Sequence, residues 1–377
     1  GWFGINTWVG GSAIYVILNS VSGDAFVGQA LPFLGIDITQ TLCFFAFWAM
    51  HLVFIKHGTE SIRWLETFAA PFLILMGLAL LGWAYVNAGG FGEMLSTPSQ
   101  FVEGGAKEGQ FWTAFFAGLT SMVGFWATMA LNIPDFTRFA KSQKDQMLGQ
   151  AIGLPLPMAL FAFIGVAVTS ATVTIYGEAI WDPVALAGRM GGMGVVLALA
   201  ALALATLTTN LAANMVAPAY GFSNMAPSKI SFKMGGYITA GIGVAIFPWK
   251  LLETAGGYLF TWLTGYSALL GPIAGILIAD YFILRKSTLN IDALFQHRGE
   301  YGANNGWNMA GVTALIIGIL PNIPGFLHAA GFLESVPAVF DTLYAYAWFV
   351  GLIIASMVYL LLSNRAPVTM QAKSASQ

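Results

Sequence analysis

Two asparagines four residues apart are the pair best suited to hold a ligand. In the stretch Ala205-Thr-Leu-Thr-Thr-Asn-Leu-Ala-Ala-Asn214, helical spacing puts Asn210 and Asn214 on one face. Each offers a carboxamide that can pair with an amide-like edge. Ala205, Thr208 and Thr209 fall on the adjoining stripe, where one carbonyl and two hydroxyls supply the neutral oxygens a hard cation prefers. The bland reading of all five is cross-helix glue, worth about 1 kcal/mol each. For the Asn pair the functional reading is preferred, because the O and N ends of two carboxamides are hard to satisfy by accident. Trp2 and Asn6 repeat the four-residue spacing, setting an indole beside a carboxamide. Trp126 follows Gly124 and Phe125 midway along an apolar run, away from the interfacial belt where Trp normally collects. A flat heteroaromatic stacked on such an indole gains about 1 to 3 kcal/mol.

The elements that must position these groups are helices in a bilayer. Charged residues are 8% of the 377 and hydrophobic ones 57%, whereas about a quarter of a soluble domain is charged. Mean hydropathy is +0.74. Spans of about 20 apolar residues are predicted near 1–22, 38–55, 66–88, 110–131, 150–175, 192–221, 234–249, 257–284, 307–328 and 341–363, the seventh being short. Kinks are expected at Gly153-Leu-Pro-Leu-Pro157 and at Gly271-Pro272. The fold class is thus all-α integral membrane with about ten transmembrane helices, a transmembrane domain over 1–363 and a polar, disordered tail over 364–377.

Loop charge gives this segmentation an orientation. Twelve of the fifteen Lys and Arg fall on one face: Lys56 and Arg63; Arg138, Lys141 and Lys144; Lys229 and Lys233; Arg285, Lys286 and Arg298; Arg365 and Lys373. Lys107, Arg189 and Lys250 occupy the other. The first face is therefore predicted to be cytoplasmic, with the C-terminus, in the plasma (cell inner) membrane. No basic cluster suggests nucleic acid; the lone Cys43 excludes an internal disulfide and reads as a small buried hydrophobe.

The central parts of the spans lack Asp, Glu, Lys, Arg and His, with His51 and Asp280 placed towards span ends. A buried proton relay, voltage sensor or charged-substrate site would show such a group at depth. The predicted ligand is therefore flat and uncharged, stacked by indoles and read by carboxamides. A channel is disfavoured by the absence of a filter sequence, and an enzyme by the absence of a metal motif or paired nucleophile and base. The abrupt Gly1-Trp-Phe start, with no Met, reads as the edge of a fragment whose upstream helices are missing.

Four stretches carry a family resemblance: Gly1-Trp-Phe-Gly-Ile-Asn-Thr-Trp-Val-Gly10, Phe125-Trp-Ala-Thr-Met-Ala-Leu-Asn-Ile-Pro-Asp-Phe-Thr-Arg-Phe-Ala140, Thr209-Asn-Leu-Ala-Ala-Asn214 and Ile278-Ala-Asp-Tyr-Phe282. The chain resembles the nucleobase:cation symporters, which include cytosine, purine, uracil, allantoin, thiamine and hydantoin permeases. The resemblance implies helices 3 to 12 of a twelve-helix, leucine-transporter-type inverted-repeat fold, with substrate and ion near the midplane. It implies that Trp2 and Trp126 sandwich a planar substrate and that Asn6 stands where the family commonly has Gln. Asn210 and Asn214 would face the substrate, and the 110–131 span would break near Gly124, with Gly124 and Phe125 among the contacts. Ala205, Thr208 and Thr209 would form the helix-eight half of a sodium site, the other half belonging to an absent first helix. The expected function is a symporter for a small neutral heterocycle, not an enzyme, coupled to a cation, with Na+ favoured and no cofactor. A same-fold carrier for another solute such as an amino acid, or proton coupling, is the alternative. Oligomeric state is not legible: Gly271-x-x-x-Gly275 fits a helix contact within one bundle as well as between chains.

Overall fold

The computed structural model describes residues 1–96, 98–190, 193–252, 257–294 and 307–363. Among these residues all regular structure is helical. The expected tail and Arg298 lie outside the described residues. Chain contacts divide into two compact units, Gly1–Ser99 with Asp135–Leu252, and Gln100–Pro134 with Glu253–Gln377, where sequence alone suggested one domain.

In chain order the principal helices are α1 (Trp2–Ser22), α2 (Ile38–His57), α3 (Thr59–Asn87), α4 (Phe111–Trp126), α5 (Pro155–Tyr176), α6 (Met193–Leu211), α7 (Phe232–Ala245), α8 (Thr264–Ile278), α9 (Met309–Ile319) and α10 (Ala347–Leu362). Among the described residues six helical stretches are long and apolar enough to cross a membrane: Ile38–His57, Thr67–Asn87, Gln143–Tyr176, Met193–Met225, Thr261–Leu284 and Met309–Ala329. A seventh is formed if Ala338–Ala345 and Ala347–Leu362, bent by 88°, count as one. The ten predicted spans all correspond to helix, but three fall short of that standard for identifiable reasons. α1 has 21 residues, but Gly, Asn, Ser and Thr dilute its hydropathy. α4 has 16 residues. α7 has 14 and reaches about 21 Å at 1.5 Å per residue, less than the roughly 30 Å of hydrocarbon.

The predicted kinks fare differently. A turn at Leu154 does separate Gln143–Gly153 from Pro155–Tyr176. Pro272, however, lies inside an unbroken α8, where Gly271 and Gly275 bring α8 against α10. A Cβ on Gly271 would come 2.4 Å from Trp348 O, and one on Gly275 2.3 Å from Leu352 O. The Gly271-x-x-x-Gly275 contact is thus within one bundle, as the small-residue rule for membrane helices allows.

In the first unit, the same device sets α1. A Cβ on Gly4 would meet Gly243 O of α7 at 2.3 Å, and one on Gly10 would meet the Phe47 ring of α2 at 2.1 Å. With no side chain at those positions the backbones close up, and Thr7, between them, reaches Asn210 of α6. α2 begins at a capping box in which Asp37 accepts from Gln40 N (2.7 Å) and Gln40 Oε1 accepts from Asp37 N (2.9 Å).

Candidate functional site

Asn210 lies near the end of α6, fully buried. The next turn, Ala212–Val216, is a π-helix that contains Asn214. Such single π turns widen a helix locally and recur at functional sites. Despite the extra residue the two asparagines still meet, with Asn214 Nδ2 donating to Asn210 Oδ1 at 3.0 Å.

The nitrogen end of Asn210 sits among three acceptors: Phe3 O at 3.1 Å, Thr7 Oγ1 at 3.3 Å and His51 Nε2 at 3.0 Å. Thr7 uses its own hydrogen on Phe3 O, at 2.7 Å. His51 Nδ1 lies 2.9 Å from Phe47 O, and its ring stands edge-on to Phe3 and Phe47, both with centroids 5.0 Å away. Both ends of the Asn210 carboxamide are therefore committed inside the protein. The half-buried Asn214 has its nitrogen tethered and its Oδ1 uncommitted.

This network corrects one expectation. His51, placed by sequence towards a span end, is 0% exposed within α2 and bonded to the centre of the polar cluster. The first unit therefore does carry a titratable side chain in its interior. The hydrogen bonds given above require a neutral ring, because Phe47 O can only accept and the Asn210 nitrogen can only donate.

Trp2 and Asn6 are half-buried on α1, one turn apart, and among the described residues the Asn6 carboxamide has no hydrogen-bond partner. Ala205, Thr208 and Thr209 follow on α6. Thr208 Oγ1, buried, donates to Ala205 O at 2.9 Å, while Thr209 is exposed. That donation adds to the helical N–H that Ala205 O accepts within α6, so the carbonyl has both lone pairs engaged, while the two threonine hydroxyl oxygens keep lone pairs of their own.

In the second unit, α4 does not break at Gly124. The helix runs through it and ends after Trp126, with Ala127 and Thr128 in a turn. Gly124 instead permits a close crossing: a Cβ there would lie 2.2 Å from Ser267 Oγ and 2.5 Å from Leu263 O. Hydrogen bonds run beside it, from Ser267 Oγ to Thr120 O (2.7 Å) and from Thr120 Oγ1 to Ala345 O (2.7 Å). The half-buried Trp126 packs edge-on to Phe125 with centroids 5.3 Å apart, and its indole Nε1 is buried without a hydrogen-bond partner. A donor stripped of water and left unmatched costs about 1 to 3 kcal/mol.

Beyond Trp126, Asp135 and Arg138 carry local electrostatics. Burial pushes the Asp135 carboxyl up, partly offset by Arg138, whose guanidinium lies 4.5 Å from the Tyr220 ring centroid. Arg285, buried, donates from Nε to Asp280 Oδ2 at 2.6 Å, and Tyr359 OH donates to Asp280 Oδ1 at 2.7 Å. Asp280, placed by sequence towards a span end, is thus paired with Arg285 and anchored by Tyr359, which the sequence did not single out.

Tightly crossed apolar helices of membrane-spanning length, carrying a neutral, internally braced polar cluster, are those of a multi-pass helical membrane protein. The chain belongs to the family described as "Permease for cytosine/purines, uracil, thiamine, allantoin", which matches residues 1–351. It is 46% identical to a purine-uracil permease of Arabidopsis thaliana, over 97% of this chain and 60% of that protein. It is 41% identical to the allantoin permease of Bacillus subtilis (strain 168), over 97% of this chain and 72% of that one. Among solved structures it resembles Mhp1, a nucleobase-cation-symport-1 family transporter with bromovinylhydantoin bound. There the TM-score is 0.65 at 25% identity, over 97% of this chain and 75% of that one. The relatives are permeases, not enzymes. The chain spans 60% of the length of the plant permease. The family match begins at residue 1 and does not by itself support the expected loss of upstream helices.

Proposed function

We propose that the chain acts in the import of a flat, uncharged heterocycle of the nucleobase, allantoin or hydantoin class, coupled to sodium by alternating access. The observation that carries this reading is Asn214, a half-buried carboxamide on a π turn, tethered by its nitrogen to a fully buried partner and holding its oxygen uncommitted. A neutral hydrogen-bonding end of this kind suits a neutral amide edge and would leave a charged ligand uncompensated. In the first unit the proposed contacts are Trp2, Asn6 and Asn214, with Asn210 acting through Asn214. In the second they are Phe125 and Trp126, with Gly124 setting the helix crossing that presents them.

Sodium is favoured by the neighbouring hydroxyl oxygens of Thr208 and Thr209, with Ala205 O reached if the Thr208 hydroxyl turns from it to the ion. The buried His51 is the feature that speaks for proton coupling instead. Its hydrogen bonds hold the ring neutral within the network, which makes it a structural acceptor rather than a proton carrier. The distribution of Lys and Arg supports a multi-pass plasma-membrane protein with a cytoplasmic C-terminus. A competition panel of uracil, cytosine, purines, allantoin and hydantoins on the reconstituted protein tests the substrate class. Displacement of a bound heterocycle by at least one of these, and by no amino acid, is expected; displacement by an amino acid alone would reject it.

A further inference from the structure

We infer that His51 is a positioning residue that sets the polarity of Asn214, so that the ligand meets a hydrogen-bond acceptor there and must bring an N–H. The inference rests on the functional reading above. Phe47 O lies 2.9 Å from His51 Nδ1 and can only accept, so the ring proton is on Nδ1 and Nε2 is a bare acceptor. Nε2 draws the nitrogen end of Asn210 towards it, at 3.0 Å. Phe3 O, at 3.1 Å, agrees with that sense but already takes the Thr7 hydroxyl at 2.7 Å, so His51 Nε2 is the acceptor with no other claim on it and holds the orientation. Asn210 must then turn its oxygen to Asn214, which answers with its nitrogen at 3.0 Å. A planar carboxamide held by its nitrogen presents its oxygen at the opposite edge, so Oδ1 is the end left for a ligand.

The chain of bonds has one direction. Were the ring proton on Nε2, Asn210 would have to rotate, setting its oxygen against Phe3 O, and Asn214 would turn its N–H outward instead. His51 is buried completely and pinned edge-on by Phe3 and Phe47, so the ring itself cannot swing to compensate. A side chain that never touches the substrate thereby decides which ring edge is accepted.

The tautomer is read directly by nitrogen NMR of the full chain with His57, His297 and His328 replaced by Gln, leaving His51 as its sole histidine. A neutral ring protonated at Nδ1 is expected; protonation at Nε2 would overturn the inference, whether or not any ligand binds. The consequence is read by binding of the preferred heterocycle and its mono-N-methyl derivatives to the parent, His51→Phe, Asn214→Ala and the double variant. In the parent, one N-methyl position should weaken binding about tenfold. That penalty should shrink alike in each single variant and no further in the double, and His51→Gln, whose carbonyl can accept, should restore it. An undiminished penalty in His51→Phe, or effects that multiply in the double variant, would assign His51 a merely packing role. A parent that binds no heterocycle would refute the functional reading, and the tautomer would still decide the network.

Discussion

Replacing Asn210 with Ala should destabilise the protein far more than replacing Asn214, although the two look equivalent in sequence. The nitrogen of Asn210 has two hydrogens for Phe3 O, Thr7 Oγ1 and His51 Nε2, so about two cross-helix bonds are lost. Such bonds within membranes average about 0.6 kcal/mol each, which accounts for roughly 1 kcal/mol. Phe3 O keeps the Thr7 hydroxyl, and the half-buried Asn214 can turn towards solvent. His51 Nε2 has neither recourse, and an unsatisfied buried acceptor costs about 1 to 3 kcal/mol more. The sum is about 2 to 4 kcal/mol, against less than about 1 kcal/mol for Asn214→Ala, which frees a single bond. The lone Cys43 is buried, so a thiol-reactive fluorophore reports unfolding in detergent without any introduced cysteine. Asn210→Ala should lower the apparent Tm several-fold more than Asn214→Ala. Equal shifts would refute the assignment of Asn210 as the brace and Asn214 as the presented end.

Gly124→Ala would drive a methyl to 2.2 Å from Ser267 Oγ and 2.5 Å from Leu263 O. The hydroxyl can rotate but the backbone carbonyl cannot, so a cost of about 1 to 3 kcal/mol is expected; unchanged thermal stability would contradict the crossing. Trp126→Ala should weaken heterocycle binding by about 1 to 3 kcal/mol. Trp126→Phe should lose less, because stacking survives while the unmatched indole N–H is removed; equal losses in calorimetric titrations would contradict a stacking role. Thr209→Ala should reduce the sodium stimulation of binding more than binding measured without sodium, and the reverse pattern would remove Thr209 from the ion site. Tyr359→Phe deprives Asp280 of one donor beside a buried Arg285 and should cost about 1 kcal/mol, read as a Tm shift with substrate affinity unchanged.

Helix positions were legible in the sequence because period and hydropathy are local properties. Span lengths were less so: the 88° bend between Ala345 and Ala347 follows from how the flanking helices pack, with no Gly or Pro at the joint to announce it. The Asn210 and Asn214 pair was found by i, i+4 spacing, which succeeds even though a π turn intervenes. Their division of labour was invisible, since it depends on Phe3, Thr7 and His51, residues 159 or more positions away along the chain. His51 carries one usable signal, an imidazole more than a turn inside the apolar stretch of α2, ahead of the Lys56 and His57 that mark the helix end. Gly124 was associated with a helix break, whereas only the neighbouring Ser267 and Leu263 reveal it as a crossing point.

The central claim is that a neutral heterocycle is moved uphill by a sodium gradient. It is tested most directly by uptake of the labelled heterocycle into proteoliposomes at fixed pH, with an inward sodium gradient, an equal sodium concentration on both sides, or none. Transient accumulation above the external concentration only under the sodium gradient is the predicted result. Accumulation that follows a pH gradient and ignores sodium, or mere equilibration under every condition, would contradict it.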